Sequence, residues 1–283
     1  MRLEGDRRNP NLNRYNTDLL TQQFVDTSLY KQVIHTSITA TTMDDVRALA
    51  LAGNLAPFAE IADYQTRGIG REGRVWHARK DASIMFSVFL PIEEDAIGES
   101  TDIIALKAAM VIEETTGIPV RIKWPNDLVV NNKKLAGILP HPLYDQANNF
   151  LGVNVGFGMN VHYGKKALKN IPAEYPPTSL DVEMKGYVFR PTIATKLLEA
   201  IRFAGEYGVM IRGNSREEEK YNALWRQYSS LLGKNVVITQ YGKPVVEGKV
   251  IDTQIGNGLF VQTENGIEQW AFFDSQTKVR LVA

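Results

Sequence analysis

Between Gln65 and Leu90 the chain lays down three glycines where a dinucleotide-binding fold would open a helix, and no helix follows. Gly68-Ile69-Gly70-Arg71-Glu72-Gly73 matches G-x-G-x-x-G letter for letter, and Glu93 lies about 20 residues on, where that pattern places an acid. The pattern works only if the glycines start a helix whose N-terminus holds a pyrophosphate. Here Arg74-Val75-Trp76-His77 comes next, and then an apolar run over 84–90 that reads as a buried strand. The context rules out the dinucleotide fold. Two readings remain. One is a surface turn in which glycine supplies positive φ. The other is an anion loop, in which bare backbone N–H groups approach a phosphate and Arg67, Arg71 and Arg74 add bidentate charge.

The surrounding pattern is that of an α+β chain. Strands are predicted over 33–38, 58–64, 84–90, 121–123, 128–131, 135–139 and 150–155, with Asn131-Asn132 at a hairpin tip. Apolar spacing predicts a helix over 43–52 capped by Thr42. A second helix spans 102–116, with Thr101 as cap and Gly117 then Pro119 as stop signals. Two more cover 192–207 and 216–232, and Glu217 to Glu219 in the first turn of the latter suit its dipole. From Gly233 the texture changes to five short strands, 236–239, 245–252, 259–263, 268–272 and 279–282, separated by Gly242, Gly256, Gly258 and Gly266. That rhythm suggests a small β-barrel.

Composition narrows the function. Thirty-two basic residues balance thirty-two acidic ones, so no electrostatic footprint for nucleic acid exists. There is no cysteine, which excludes thiol nucleophiles and thiolate metal sites. His35, His77, His141 and His162 are scattered without ligand spacing, so no metal site is expected. The start of the chain lacks the apolar core of a signal peptide, and no apolar run reaches the length of a membrane span. A cytoplasmic protein with no membrane partner is expected.

A second segment carries chemistry. Lys123-Trp124-Pro125-Asn126-Asp127 follows a strand, and Lys134 to Leu139 comes seven residues later. Pro125 interrupts the ladder and leaves a lysine, an amide and a carboxylate at a strand end. A Trp-Pro turn with solvated charges is the plain alternative.

Taken together, these residues resemble the signature segments of biotin protein ligases. Lys123 to Asp127 with Lys134 and Gly137-Ile138-Leu139 is similar to one signature. Gln65 to Trp76 resembles the second, whose usual form is GRGRxGRxW. Thr41-Thr42-Met43-Asp44 and Gly156-Phe157-Gly158-Met159-Asn160-Val161 resemble two more, in the family's order.

The resemblance implies a class II aminoacyl-tRNA-synthetase-like catalytic domain with a mixed sheet over 33–232. It further implies an SH3-like barrel over 233–283, behind a flexible lead-in over 1–32. It implies ATP-dependent formation of biotinyl-5′-AMP, with Mg²⁺, and transfer of biotin to a lysine of a biotin carboxyl carrier protein. Lys134, Arg71, Asp127 and Lys123 are then the catalytic set. Thr41, Thr42, Met43, Gln65, Gly68, Ile69, Gly70, Arg71, Lys134 and Gly137 bind biotin. Arg71, Arg74, Trp76, Asn126, Lys134 and Asn160 bind ATP.

The sequence departs from the family pattern at Ile69, at Pro140-His141 and at Ala78 to Asp81. About 32 residues precede the first strand, without two amphipathic helices, so no DNA-binding function is expected. A homodimer through the sheet edge is compatible with the family. The alternatives are a lipoate protein ligase, which would not need the Thr41/Thr42/Gln65 set, and an inactive module that holds biotin or carrier.

Overall fold

The computed structural model describes Tyr15 and residues 29–173, 175–184, 186, 188–211, 213–270 and 277–282. A seven-stranded mixed sheet contains β1 (Gln32–Thr39), β2 (Phe58–Gln65), β3 (Ser83–Leu90), β4 (Arg121–Lys123), β5 (Asp127–Val130), β6 (Lys133–Tyr144) and β7 (Phe150–Asn160). Its order is β1-β2-β3-β7-β6-β5-β4. β1 and β2 are parallel, joined through helix α1 (Thr42–Leu51), and every other pairing is antiparallel.

α1 covers one face, where Val46 and Ala50 pack on Phe58, Phe89 and Leu143. The other face is buried by helices α2 (Ile97–Thr116) and α3 (Arg190–Ile211), in a core that includes Ile61, Ile84, Phe86, Ile104, Ala108 and Leu197. The predicted lead-in lies mostly outside the described residues. Where it is described, Tyr15 and Tyr30 are buried, and the Tyr30 hydroxyl donates to the Leu198 carbonyl at 2.7 Å.

Several boundaries differ from the sequence prediction. α1 is capped by Thr41, whose hydroxyl accepts from the Met43 N–H at 3.4 Å. Thr42 is inside the helix because its own N–H is taken by Gln65. α2 begins five residues before Asp102, and Thr101 sits within it, its hydroxyl donating back to the Ile97 carbonyl at 2.6 Å. Gly98, Ser100 and Thr101 are poor interior helix formers, and burial of this turn outweighs that preference. Gly117 does terminate α2, left-handed at φ 70°.

β6 runs past Leu139 to Tyr144 despite Pro140 and Pro142. The Ile138 N–H points away from β7, to the Asn126 carbonyl. By alternation, positions 140 and 142 face that same side, which β5 no longer covers beyond Gly137. No ladder bond is lost there.

Helix α4 (Ser215–Tyr228) ends four residues short of the prediction, since Ser229 and Ser230 bond to β4 instead. The five C-terminal strands form one antiparallel sheet: β8 (Asn235–Gln240), β9 (Lys243–Gln254), β10 (Gly258–Thr263), β11 (Gly266–Trp270) and β12 (Lys278–Leu281). Their order is β11-β10-β9-β8-β12. The fourth predicted strand extends to 272, and its last two residues lie outside the described residues. α4 ties this sheet to the rest through the buried Trp225, whose indole N–H donates to Thr253 Oγ1 at 2.9 Å. Among the described residues no helix is long and apolar enough to cross a membrane.

A second tie has a measurable consequence. Asp102 of α2 accepts the Gly256 N–H at 2.8 Å, and burial pushes its carboxyl up to about 8, with the Glu99 charge adding to the shift. Its pKa in the folded state is thus above its unfolded value. Its contribution to stability is therefore fully present below about pH 4 and is lost as pH rises toward 8. Asp102→Asn keeps an acceptor without the charge. Denaturant unfolding should find the variant more stable than wild type by at least about 1 kcal/mol at pH 8, with the gap closing toward pH 4. A pH-independent difference would contradict this.

Candidate functional site

The site starts from a stretch of sheet without side chains. Gly137 on β6 and Gly158 on β7 are register partners, and Gly156 faces the same side two residues earlier. A Cβ at Gly156 would meet Met43 Sδ at 2.6 Å, and one at Gly158 the Trp76 ring at 2.7 Å. At Gly137 it would meet Lys134 Nζ at 3.3 Å. Met43, Trp76 and Lys134 thus lie directly on backbone, around a cleft of about 860 Å³.

One end of the cleft is neutral and polar. The Gln65 carbonyl oxygen accepts from the Thr42 N–H at 2.7 Å and from its hydroxyl at 3.2 Å, and Thr42 Oγ1 is 2.7 Å from Ser87 Oγ. With its carbonyl engaged, Gln65 keeps its NH₂ group for donation. Asn154, next along β7, donates to the Met43 carbonyl at 2.8 Å and steadies the first turn of α1.

The glycine loop is a small hairpin. Ile69 bridges Val75, Gly70 N–H donates to the Arg74 carbonyl at 2.7 Å, and Trp76 N–H donates to the Gly68 carbonyl at 2.9 Å. Its tip is one 3₁₀ turn, Arg71–Gly73, and a strand follows, in line with the rejected dinucleotide fold. A Cβ on Gly68 would stand 2.7 Å from the Trp76 carbonyl, so this position must be glycine. Arg71 donates to Asn126 Oδ1 at 3.2 Å and to the Thr277 carbonyl at 2.8 Å, tying the loop to both sheets. Glu72 pairs with Arg74 at 3.3 Å and with Lys278 at 3.1 Å. Arg67 pairs with Asp44 at 2.9 Å and does not line the cleft.

The other end is charged. Lys123 and Asp127 are partners across the β4–β5 hairpin, whose turn holds Trp124, Pro125 and Asn126, with a cis Trp124–Pro125 peptide. Lys134 Nζ lies 2.6 Å from Asp127 Oδ1 and 5.6 Å from the Trp76 ring centroid. Asn126 is locked by donation to the Ile138 carbonyl at 2.8 Å, and Asn160 by donation to the Thr178 carbonyl at 3.0 Å. The Trp76 indole N–H is buried without a partner among the described residues. Among the described residues, Arg71, Arg74, Lys123, Lys134, Lys278 and Arg280 line the cleft with one lining carboxylate, Asp127, while Glu72 of the loop pairs with Arg74 and Lys278. Such an excess suits a polyanion whose charge is redistributed during reaction.

Every predicted site residue lines this cleft except Gly68, which shapes the loop from behind. Prediction missed Ser87, Tyr175, Lys278 and Arg280. Ser87 is one hydroxyl in an apolar strand, Tyr175 lies in a proline-rich segment read only as punctuation, and the last two belong to the C-terminal sheet. No grouping of three potential metal ligands occurs among the described residues. With Asp127 already paired to Lys134, the residues present do not fit a resident metal.

Residues 35–160 match the model of the biotin/lipoate A/B protein ligase family. The chain is 38% identical over 118 residues to the bifunctional ligase/repressor BirA of Bacillus subtilis, covering 40% of this chain and 35% of that one. It is 30% identical over 140 residues to the biotin–[acetyl-CoA-carboxylase] ligase of Mycobacterium tuberculosis, covering 47% of this chain and 50% of that one. These matches thus span about a third to a half of the length of the curated relatives. Among solved structures, biotin protein ligase from Aquifex aeolicus in complex with biotin and ATP superposes with a TM-score of 0.72 at 24% identity. That superposition covers 89% of this chain and 100% of that one, and shows a shared fold.

The bare floor makes a prediction that separates two of its glycines. Gly158→Val drives carbon into the wedged Trp76 ring and should cost about 1–3 kcal/mol of unfolding free energy. Gly137→Ala meets the flexible end of Lys134 at 3.3 Å and touches the Trp76 ring at an ordinary contact distance of 3.5 Å, and should stay within about 0.5 kcal/mol of wild type. Urea denaturation of both variants checks the contrast, and equal losses would contradict it.

Proposed function

We propose, from the match of residues 35–160 to the biotin/lipoate A/B protein ligase family, that the chain joins biotin to ATP and passes the biotinyl group to a lysine. The observation that carries this reading is the polarity of this cleft, which brings the neutral donors and acceptors around Thr42 and Gln65 together with six lining cations. A ureido ring buries polar atoms that need partners. Thr41, Thr42 and Gln65, with backbone from Ile69 and Gly70, are assigned that role, and Met43 and Gly137 bound the rings. A lipoyl group has no polar head for such a set, which makes biotin the better substrate.

The valeryl carboxylate then reaches Lys134. One of its oxygens attacks the α-phosphorus of ATP, a P–O bond forms, and the bond to the β-phosphate oxygen breaks to release pyrophosphate. Both reactants are anions, so the step needs positive charge at the developing pentavalent centre. Lys134 and Arg71 are assigned to it. Arg74, Trp76, Asn126 and Asn160 are assigned to the nucleotide, and Lys123 to the charge balance at the turn. Mg²⁺ would accompany ATP as its counterion.

In the second step a lysine amine of the acceptor attacks the acyl carbon. A C–N bond forms, the C–O bond to phosphate breaks and AMP leaves with the proton that the amine gives up; Asp127 is assigned to orient the amine. The acceptor is a biotin carboxyl carrier protein of a biotin-dependent carboxylase. This assignment is supported by the carboxylase ligase of M. tuberculosis among the relatives. Residues 33–232 serve as the catalytic domain and 233–283 as an SH3-like barrel, in a cytoplasmic enzyme.

Pyrophosphate release with MgATP and either biotin or lipoate tests the reading. Biotin-dependent release is expected, falling at least about hundredfold in Lys134→Ala. Release with lipoate alone would reassign the substrate. Silence with both would reduce the protein to a binding module.

A further inference from the structure

Tyr175 has no role in the assignments above, yet it is held firmly at the charged end of the cleft. Residues 175–178 run alongside the start of β6. Lys134 N–H donates to the Pro176 carbonyl at 2.8 Å, Thr178 N–H donates to the Lys134 carbonyl at 2.8 Å, and Pro177 bridges Lys134 in parallel. Thr178 is fixed in turn, accepting from Asn160 at 3.0 Å through its carbonyl and donating to Glu183 at 2.5 Å through its hydroxyl. The segment is fastened to the residue that carries the Lys134 side chain. What it presents is an aromatic face on which the Lys123 ammonium rests, 4.0 Å from the ring centroid. Tyr175 also lies near Asp127. Burial raises its hydroxyl pKa, and the Asp127 charge raises it further, so the phenol stays neutral.

An aromatic face beside a carboxylate is a recognition element for an ammonium group. We propose that Tyr175 and Asp127 form the subsite that receives the acceptor's lysine ammonium, and that in the free protein Lys123 occupies the Tyr175 face as an internal stand-in. This rests on the ligase reading and adds to it the residue that selects a cationic nucleophile. The incoming side chain displaces the Lys123 ammonium and loses a proton to the Asp127 carboxylate. Its neutral amine forms the C–N bond as the C–O bond to phosphate breaks, and the proton that the amide nitrogen sheds leaves on the phosphate of the departing AMP. Asp127 then returns the proton to water. Tyr175 binds and orients the amine and exchanges no proton.

The test compares two nucleophiles on the same enzyme. The full chain is incubated with MgATP and biotin and offered either Nα-acetyl-lysine methylamide, which is cationic at neutral pH, or hydroxylamine, which is uncharged. The biotinyl amide and biotinyl hydroxamate are quantified by mass spectrometry. Because both products draw on the same adenylate, their ratio is independent of any change in adenylation or in the amount of folded protein. In Tyr175→Leu the amide-to-hydroxamate ratio should fall about tenfold, and in Tyr175→Phe, which keeps the aromatic face, it should stay within about twofold of wild type. An unchanged ratio in Tyr175→Leu, or an equal fall in both variants, would overturn the subsite while leaving the ligase reading intact. Absence of both products in wild type would overturn that reading and the subsite with it.

Discussion

The contact on which the site depends is that of three side chains with bare backbone. Strands β6 and β7 meet at Gly137 and Gly158, and Gly156 extends the clearing toward α1. Met43 and Trp76 lie in the space that β-carbons at Gly156 and Gly158 would fill, and the end of Lys134 packs against Gly137. The sheet otherwise behaves as a two-faced core element, with α1 packed on one side and α2 and α3 on the other. A cleft opens on the α1 side because side chains are missing there and the neighbouring loops border the gap.

Charge is arranged around that gap in two layers. The inner layer is the Lys134–Asp127 pair beside the Trp76 face, with Asn126 linking it to Arg71. The outer layer comes from the C-terminal sheet, where Thr277 and Lys278 hold Arg71 and Glu72 of the glycine hairpin. The hairpin is thereby positioned by both sheets. The C-terminal strands are in turn held on α2 and α4 by Asp102–Gly256 and Trp225–Thr253. An adenylate is prone to hydrolysis, so a loop braced on two sides suits chemistry that must exclude water.

Much of this was legible in the sequence because the informative residues are ones that local rules govern. Glycines followed by a strand excluded a helix after the loop, the Lys-Trp-Pro-Asn-Asp turn marked a lysine, an amide and a carboxylate at a strand end, and the Gly117 stop marked the end of α2 as the structure has it. What local rules could not supply were features set by distant neighbours. Thr42 looks like a helix cap until Gln65, 23 residues away, claims its N–H. Pro140 and Pro142 look like a strand end until the short reach of β5 leaves their edge uncovered. Ser87 and Tyr175 gain meaning only from Thr42 across the sheet and Lys123 across the cleft.

The central claim is that one glycine-floored cleft holds both substrates and retains the product of their reaction. The most direct measurement incubates the protein with biotin and MgATP, removes free ligand by rapid gel filtration, and identifies what stays bound by mass spectrometry. The account predicts biotinyl-5′-AMP, near one per chain. Recovery of biotin and ATP as separate, unreacted molecules, or of neither, would contradict it.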